Sequence, residues 1–437
     1  MNLISYSIIL LILVAIIPCA RESYSLKSQE HKLLSDSSHQ NYFAPQTFFI
    51  DSNQLAQAKK IFQSSEGKGL LGQEITKLIQ EAKTYLKTRP TSVMDKDEVP
   101  PSGNKHDFLS LTPYRWPNPD TPSGLPYVFR DGKSNPEVHK IPDKDNLDDM
   151  IVMTKILSLA YYFTDNPEYA KKAAELLRVW FLNDNTRMNP NLKYSEVTRG
   201  KNEANPSGVM AAGYIPHIFD AISMIENSSS WNRADKEGMQ NWFNQYLQWL
   251  LSSESGRSES MKTNNHGTYY YLQVLSIALF LNKQDIVKNV LQDMIQEPTV
   301  SGFRNTPQLL SVKITDEGKQ PFELSRTKSL TYSMFNLIGL FNIAQIGDHV
   351  GVDLWNYKTF NGAGLRKALD YLLPFVTQDK AWPYEQEVPF RKDYVASLLC
   401  MASIKYEDNN RYFSYYKSLD PIKIPLGKDN FGICVKN

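Results

Sequence analysis

The sequence predicts an all-α protein, an (α/α) toroid or incomplete barrel of paired antiparallel helices. Apolar residues recur at helical spacing in roughly a dozen segments, and strand-like alternation is scarce. The helical segments follow one another in pairs with short turns, the pattern of helical hairpins stacked side by side. Closing such hairpins into a toroid buries both helix layers around a central cleft. No composition break divides the chain, so residues 46–420 are expected to form one domain. Residues 1–20 read as a leader, 21–45 as a polar flexible lead-in, and 421–437 as a C-terminal tail.

The first helices are expected between Asp51 and Arg89. Asp51 or Ser52 can cap the first, and Leu70, Ile75, Leu78, Ile79, Ala82 and Leu86 form the stripe of the second. From Pro90 to Asp145 the periodicity vanishes. A structureless stretch of that length inside a compact domain is usually a lid or a binding loop. Leu147, Met150, Ile151, Thr154, Leu157 and Tyr161 then mark a helix. Asn166-Pro167 is its turn, with Pro167 opening the next helix, to Phe181. Further helical patterns cover 208–225, 234–251, 268–281, 285–295, 327–345, 365–375, 393–404 and 410–419.

Composition narrows the function. With 48 Lys+Arg against 47 Asp+Glu, the net charge of +1 gives no global field to draw nucleic acid or an acidic membrane. An anionic substrate must be met by local groups. The 24 Tyr and 7 Trp suit a carbohydrate-facing groove and a large helical core equally. An apolar run from Ile8 to Ile17, followed by Pro18-Cys19-Ala20, is too short to span a bilayer. It has the length of a signal-peptide core, although no basic residue precedes it, and predicts secretion. Cleavage near Ala20 would leave Cys400 and Cys434, which can bridge in an oxidising compartment or stay free. Asn227-Ser228-Ser229 is a glycosylation acceptor pattern. No later segment is expected to be long and apolar enough to act as a membrane anchor, and the oligomeric state is left open.

Two polar constellations stand at the heads of apolar helices. Asn264-Asn265-His266 places two amides and an imidazole before the run from Leu272 to Leu281. Such groups must be satisfied, either as an elaborate cap or by a docked polar ligand. The second, Glu323 to Asn336, contains Arg326 and Tyr332. Six residues apart on one helix, these would lie within about 60° of each other around the axis. An arginine beside a phenol favours the phenolate and makes it a usable base.

Asn264-Asn265-His266, followed by Arg326 and then Leu330-x-Tyr332-Ser-x-Phe-Asn-Leu337, resembles the alginate lyase superfamily, polysaccharide lyase family 5 and relatives such as family 38. The stretch from Pro100 to Pro119 looks like that family's loop signature, as do Gly351 to Tyr357 and Leu365 to Pro374. Together these motifs stand in matching order across most of the domain. The resemblance implies an (α/α) toroid lyase that cleaves 4-linked polyuronates by β-elimination. His266 and Tyr332 match the family's catalytic pair, with Tyr332 as base and acid and His266 assisting. Asn265 and Arg326 match residues that meet the uronate carboxylate. Two departures stand out. The Arg-to-Tyr interval of six, where some family 5 members have seven, points towards family 38. Where many relatives read Gly-Arg before a Gly-Ile-Ile run, this chain has Ala204-Asn205-Pro206, which makes Asn205 a further candidate for the carboxylate. Lys105, His106, Tyr114 and Trp116 are candidates to close over the sugar.

The chemistry stands beside the resemblance. Removing a C5 proton next to a carboxylate creates a dianionic enolate, so donors such as Asn265, Asn205 and Arg326 are suited to stabilise the charge as it develops. No metal or cofactor is required, and the seven histidines show no HxH or HExxH spacing. Two rivals remain. A glycoside hydrolase on the same toroid would need two carboxylates, with Glu196, Glu203 or Glu385 as candidates. A non-catalytic glycan-binding protein would keep the scaffold without the reaction.

Overall fold

The computed structural model describes residues 45–64, 69–201, 207–295, 310–377, 379–406, 410–424 and Cys434. The chain divides into two compact units, 1–43 and 44–437, and all the described residues belong to the second. The leader, nearly all of the lead-in, Asn205 and the rival candidate Glu203 lie outside them.

The first two helices are α1 (Ser52–Gln63) and α2 (Leu70–Tyr85), with Asp51 accepting the first N–H groups of α1. Next come α3 (Asp143–Thr164) and α4 (Pro167–Leu177), the latter capped by Asn166 with proline at its first position. A π turn, Arg178–Leu182, extends α4. After 3₁₀ turns at 208–212 and 215–217 come α5 (Ile218–Ile225), α6 (Arg233–Ser252), α7 (Glu254–Ser260), α8 (Asn265–Phe280) and α9 (Gln284–Ile295). The remaining helices are α10 (Leu310–Lys313), α11 (Pro321–Leu324), α12 (Ser329–Asp348), α13 (Leu365–Val376), α14 (Lys392–Lys405) and α15 (Arg411–Ser418). Neighbouring helices pack on each other: α3 touches α2, α4 and α5, while α8 meets α6, α9 and α12, and α14 joins α12 to α15. Both α8 and α12 are buried around most of their circumference, as helices apolar on all sides must be.

Three features differ from the sequence reading. The stretch from Pro90 to Asp145 is not structureless. It forms β1 (Leu109–Leu111), β2 (Arg115–Trp116) and β3 (Val128–Phe129), and β1 pairs in parallel with a later strand, β4 (Tyr194–Val197). Strands of two to four residues are too short to show alternation. The stretch is fastened by a fully buried ion pair, Lys96 Nζ to Asp143 at 2.8 Å, whose lysine also donates to the carbonyls of Val93 and Lys105. Second, α7 has no apolar period. It forms because Ser253 caps it and Gly256 lets it pack on α6, where a Cβ would come within 1.8 Å of the Leu250 carbonyl. Third, Gly208–Ile225 is long and apolar enough to cross a bilayer, contrary to the reading that no later segment is. It lies almost wholly inside the domain, which accounts for its composition.

Cys400 and Cys434 form a disulfide with Cα atoms 5.5 Å apart. It ties the C-terminal end to α14, and the Cys434 N–H donates to buried Glu74 on α2 at 3.2 Å. His217 is buried in the core.

Candidate active site

The site depends on how closely α8 and α12 approach. A Cβ at Gly339 would lie 2.8 Å from Thr268 and 3.0 Å from Tyr269, so only glycine permits this spacing. Beside it, Tyr269 stacks on Phe335 with ring centroids 4.1 Å apart, and the Thr268 hydroxyl donates to Asn336 at 2.6 Å. These contacts set the register that brings His266, in the first turn of α8, towards Tyr332, in the first turn of α12.

Asn264 is the cap of α8: its side-chain oxygen accepts from the His266 N–H at 3.2 Å. Asn265 is buried and donates twice to Glu323, from its backbone N–H at 2.6 Å and its side-chain amide at 2.7 Å. One amide hydrogen of Asn265 is therefore committed within the protein. Lys313 braces the turn by donating to the carbonyls of Thr263 and Asn264. Gly267 is demanded here, since a Cβ would sit 2.0 Å from the Lys262 carbonyl. The His266 ring places Nδ1 3.0 Å from the carboxylate of fully buried Glu259. Nε2 is left without a partner among the described residues. Burial disfavours the imidazolium, but the Glu259 hydrogen bond and charge, with Glu196 and Glu323 behind it, outweigh that. His266 consequently holds its proton above the usual histidine range.

Arg326 reaches Tyr332 by a different route from the one its spacing implied. Helix α12 starts only at Ser329, so Arg326 lies in the turn before it, not on the same helix. Its guanidinium nevertheless covers the Tyr332 ring, 4.2 Å from the centroid. It is held there by a two-point bond to Asp131, with Nη2 2.7 Å and Nε 3.1 Å from the carboxylate oxygens, which leaves Nη1 uncommitted. Burial opposes the Asp131 carboxylate, yet the Arg326 contact holds its pKa below the ordinary aspartate value. The Tyr332 and Tyr114 hydroxyls share a hydrogen bond of 2.7 Å. The expected lowering of the Tyr332 pKa is not the net result. Burial and the neighbouring Tyr114 phenol raise it well above the normal range, and Arg326 offsets only part of that.

The remaining sequence candidates divide. Tyr114 joins the cluster through its bond to Tyr332. Trp116 lies in β2, its indole N–H donating to the Lys133 carbonyl at 2.7 Å. Lys105 donates to the Met94 carbonyl, and His106 Nδ1 sits 2.6 Å from the Arg187 carbonyl, so both fasten the loop to its surroundings. Outside that set, Trp382 donates to Ser329 at 2.8 Å and packs on Phe375, a structural role at the start of α12. Four carboxylates that organise the site were assigned no role in the lyase reading: Glu259, Glu323, Asp131 and Glu196. Glu323 opens the second constellation and Asp131-Gly132 is a turn signal, but nothing in one sequence pairs either with its partner more than 50 residues away. Among the described residues no group of three His, Cys, Asp or Glu side chains is placed to hold a metal ion. A cavity of about 300 Å³ between residues 47–55, α12 and α14 contains none of the site side chains.

A phenol pair under a guanidinium at the head of α12, and a carboxylate-held imidazole at the head of the α8 helix packed on it, are groups that can serve a polysaccharide lyase, and comparison with known proteins gives the family. The sequence profile of the alginate lyase family matches residues 92–382, and the chain belongs to that family. A crystal structure of an alginate lyase from Bacteroides ovatus shares 31% identity with a TM-score of 0.76, over 89% of this chain and 98% of its own. Alginate lyase A1-III from Sphingomonas species A1 shares 15% identity with a TM-score of 0.50, over 86% of this chain and 100% of its own. A histidine-to-alanine variant of alginate lyase A1-III complexed with a tetrasaccharide gives 15% identity and 0.51, over 86% and 99%. At that identity the likeness is one of fold, the (α/α) toroid. No curated protein sequence matches the chain.

Proposed function

We propose that the protein is a secreted lyase that cleaves a 4-linked polyuronate, mannuronate-rich alginate or glucuronan, by β-elimination. The observation that carries this reading is the Tyr332–Tyr114 hydroxyl pair beneath the Arg326 guanidinium, on a helix packed against the one that carries His266. In the resting site the phenol keeps its proton. Once the pair gives up one proton to solvent water, the remaining hydroxyl donates to the phenolate and Arg326 lies across its ring, both favouring the charge. The Tyr332 oxygen then takes the C5 proton. The electron pair left at C5 forms the C4–C5 double bond, the C4–O4 bond breaks, and the phenol returns its proton to the departing O4. Charge accumulating on the uronate carboxylate meets the His266 imidazolium, Arg326 Nη1 and the free amide hydrogen of Asn265. Asn205 belongs to the proposal as a further donor.

Secretion is supported by the leader-like run at Ile8–Ile17 and by the Cys400–Cys434 disulfide, which an oxidising compartment would preserve. Alginate as substrate is favoured by the name of the 31% identical neighbour. The test is product mass after incubation with polymannuronate, polyguluronate and glucuronan. Elimination yields fragments lighter by one water than hydrolysis does. Unsaturated fragments from one polymer support the reading and name the substrate; saturated fragments would move the assignment to a hydrolase.

A further inference from the structure

Strand β4 carries an irregularity that points one side chain into the site. Leu109 pairs with Tyr194 and Leu111 with Val197, so β4 advances three residues while β1 advances two. The extra residue is a bulge, a device that re-aims a side chain. Within it Glu196 has φ of +51°, a left-handed conformation unfavourable for a residue with a long side chain. The other non-glycine residues with positive φ among those described are all Asp or Asn: Asp165, Asn282, Asn410 and Asp420. The strained backbone is pinned on both sides. The Glu196 N–H donates to the Ser110 hydroxyl at 2.9 Å, and the Thr112 hydroxyl donates to the Glu196 carbonyl.

The carboxyl itself makes no hydrogen bond among the described residues. It lies within electrostatic reach of His266 on α8, Glu259 on α7, Lys144 on α3 and Tyr114 in the loop. It is packed about by protein yet keeps some accessible surface. Burial is the largest influence on it, lifting its pKa to about 7, with His266 and Lys144 pulling down and Glu259 pushing up. Strain of this kind persists where the surrounding structure enforces it, commonly at functional sites. An ionised carboxylate here would face a substrate of like charge.

We propose that Glu196 meets the polyuronate as a neutral carboxylic acid, donating a hydrogen bond to an anionic oxygen of the sugar. The protein therefore takes up a proton at Glu196 when substrate binds. This inference rests on the polyuronate reading above and adds a substrate-contacting residue to it. Substrate charge raises the proton affinity of Glu196 further, so the uptake is largest where the free carboxyl is partly ionised, near neutral pH. Glutamine keeps the neutral donor; alanine removes it.

The experiment has two stages. Elimination by the wild-type enzyme on alginate or glucuronan first checks the lyase reading by itself. On the polymer that is cleaved, binding of its oligosaccharides to the Tyr332→Phe protein is measured by calorimetry in two buffers of different ionisation enthalpy. The same is done with Glu196→Gln and Glu196→Ala added. Expected are proton uptake in the parent, loss of the Glu196 share with affinity retained in E196Q, and binding about tenfold weaker or worse in E196A. In enzymes with Tyr332 intact, KM should rise with pH through neutrality in the wild type and stay flatter in E196Q. Unchanged uptake in E196Q, an E196Q as weak as E196A, or an E196A that binds like the parent would each overturn the proposal. Thermal unfolding of E196Q separates these outcomes from misfolding.

Discussion

Adding one methyl group at Gly339 tests whether the spacing of α8 and α12 sets the geometry of the site. The new Cβ would lie 2.8 Å from Thr268 Cγ2 and 3.0 Å from the Tyr269 ring, while ordinary contact begins at 3.4 Å. Restoring contact to Thr268 requires about 0.6 Å of movement, and Thr268 is held by Asn336 while Tyr269 is held by its stack on Phe335. Neither neighbour can swing aside, so the helices must part. Overpacking of this kind destabilises by about 1–3 kcal/mol. Displacements near 1 Å cost up to about 10²-fold in rate, so a separation of this size predicts roughly a tenfold fall in kcat for Gly339→Ala. The assay pairs thermal unfolding with initial rates of unsaturated-product formation below the transition. A variant that unfolds earlier but keeps full kcat would refute the link between helix spacing and catalysis.

Glu259→Gln removes the main contribution holding the His266 proton. The imidazolium is present below its raised pKa and lost as pH rises through it, so the alkaline fall of kcat/KM should move to lower pH in the variant. Asp131→Asn breaks the two-point bond to Arg326. Because the Asp131 pKa is depressed, its stabilisation, about 1.5–3 kcal/mol for charge-assisted bonds, is present at neutral pH. Denaturant titrations should show it vanishing as pH falls through the depressed value, and kcat should fall as Arg326 loses its seat over Tyr332. Opening the Cys400–Cys434 loop by Cys400→Ser should lower stability by about 3–4 kcal/mol for a separation of 34 residues while leaving kcat at 25 °C unchanged. Chemical denaturation and rate measurements on the same preparation check both.

The helical architecture was legible because long amphipathic and fully apolar helices announce themselves by period. Asn166-Pro167 and Asp51 gave two boundaries through capping chemistry that acts over only a few residues. The candidate site was legible as residue types at helix heads, and the family motifs matched His266 and Tyr332 to a catalytic pair. What the sequence could not convey was pairing at a distance. Asp131 and Arg326 are 195 residues apart, and Tyr114 and Tyr332 are 218 apart. Arg326 was placed on the wrong element for the same reason: helical spacing was applied across a turn that ends three residues later. The net direction of the Tyr332 pKa depends on how much water the fold excludes, which spacing alone does not contain. The small sheet escaped because a bulge and a three-residue strand leave no periodic trace.

Tyr332 is proposed to move the proton in the elimination. The direct measurement is the ultraviolet absorbance of the conjugated 4,5-unsaturated uronate while wild type and Tyr332→Phe act on alginate or glucuronan. That absorbance should grow steadily with the wild type. With Tyr332→Phe it should fall by about 10²–10⁴-fold while oligosaccharide binding is retained. Comparable rates from the two proteins would contradict it, because the phenol would then be a bystander to the chemistry.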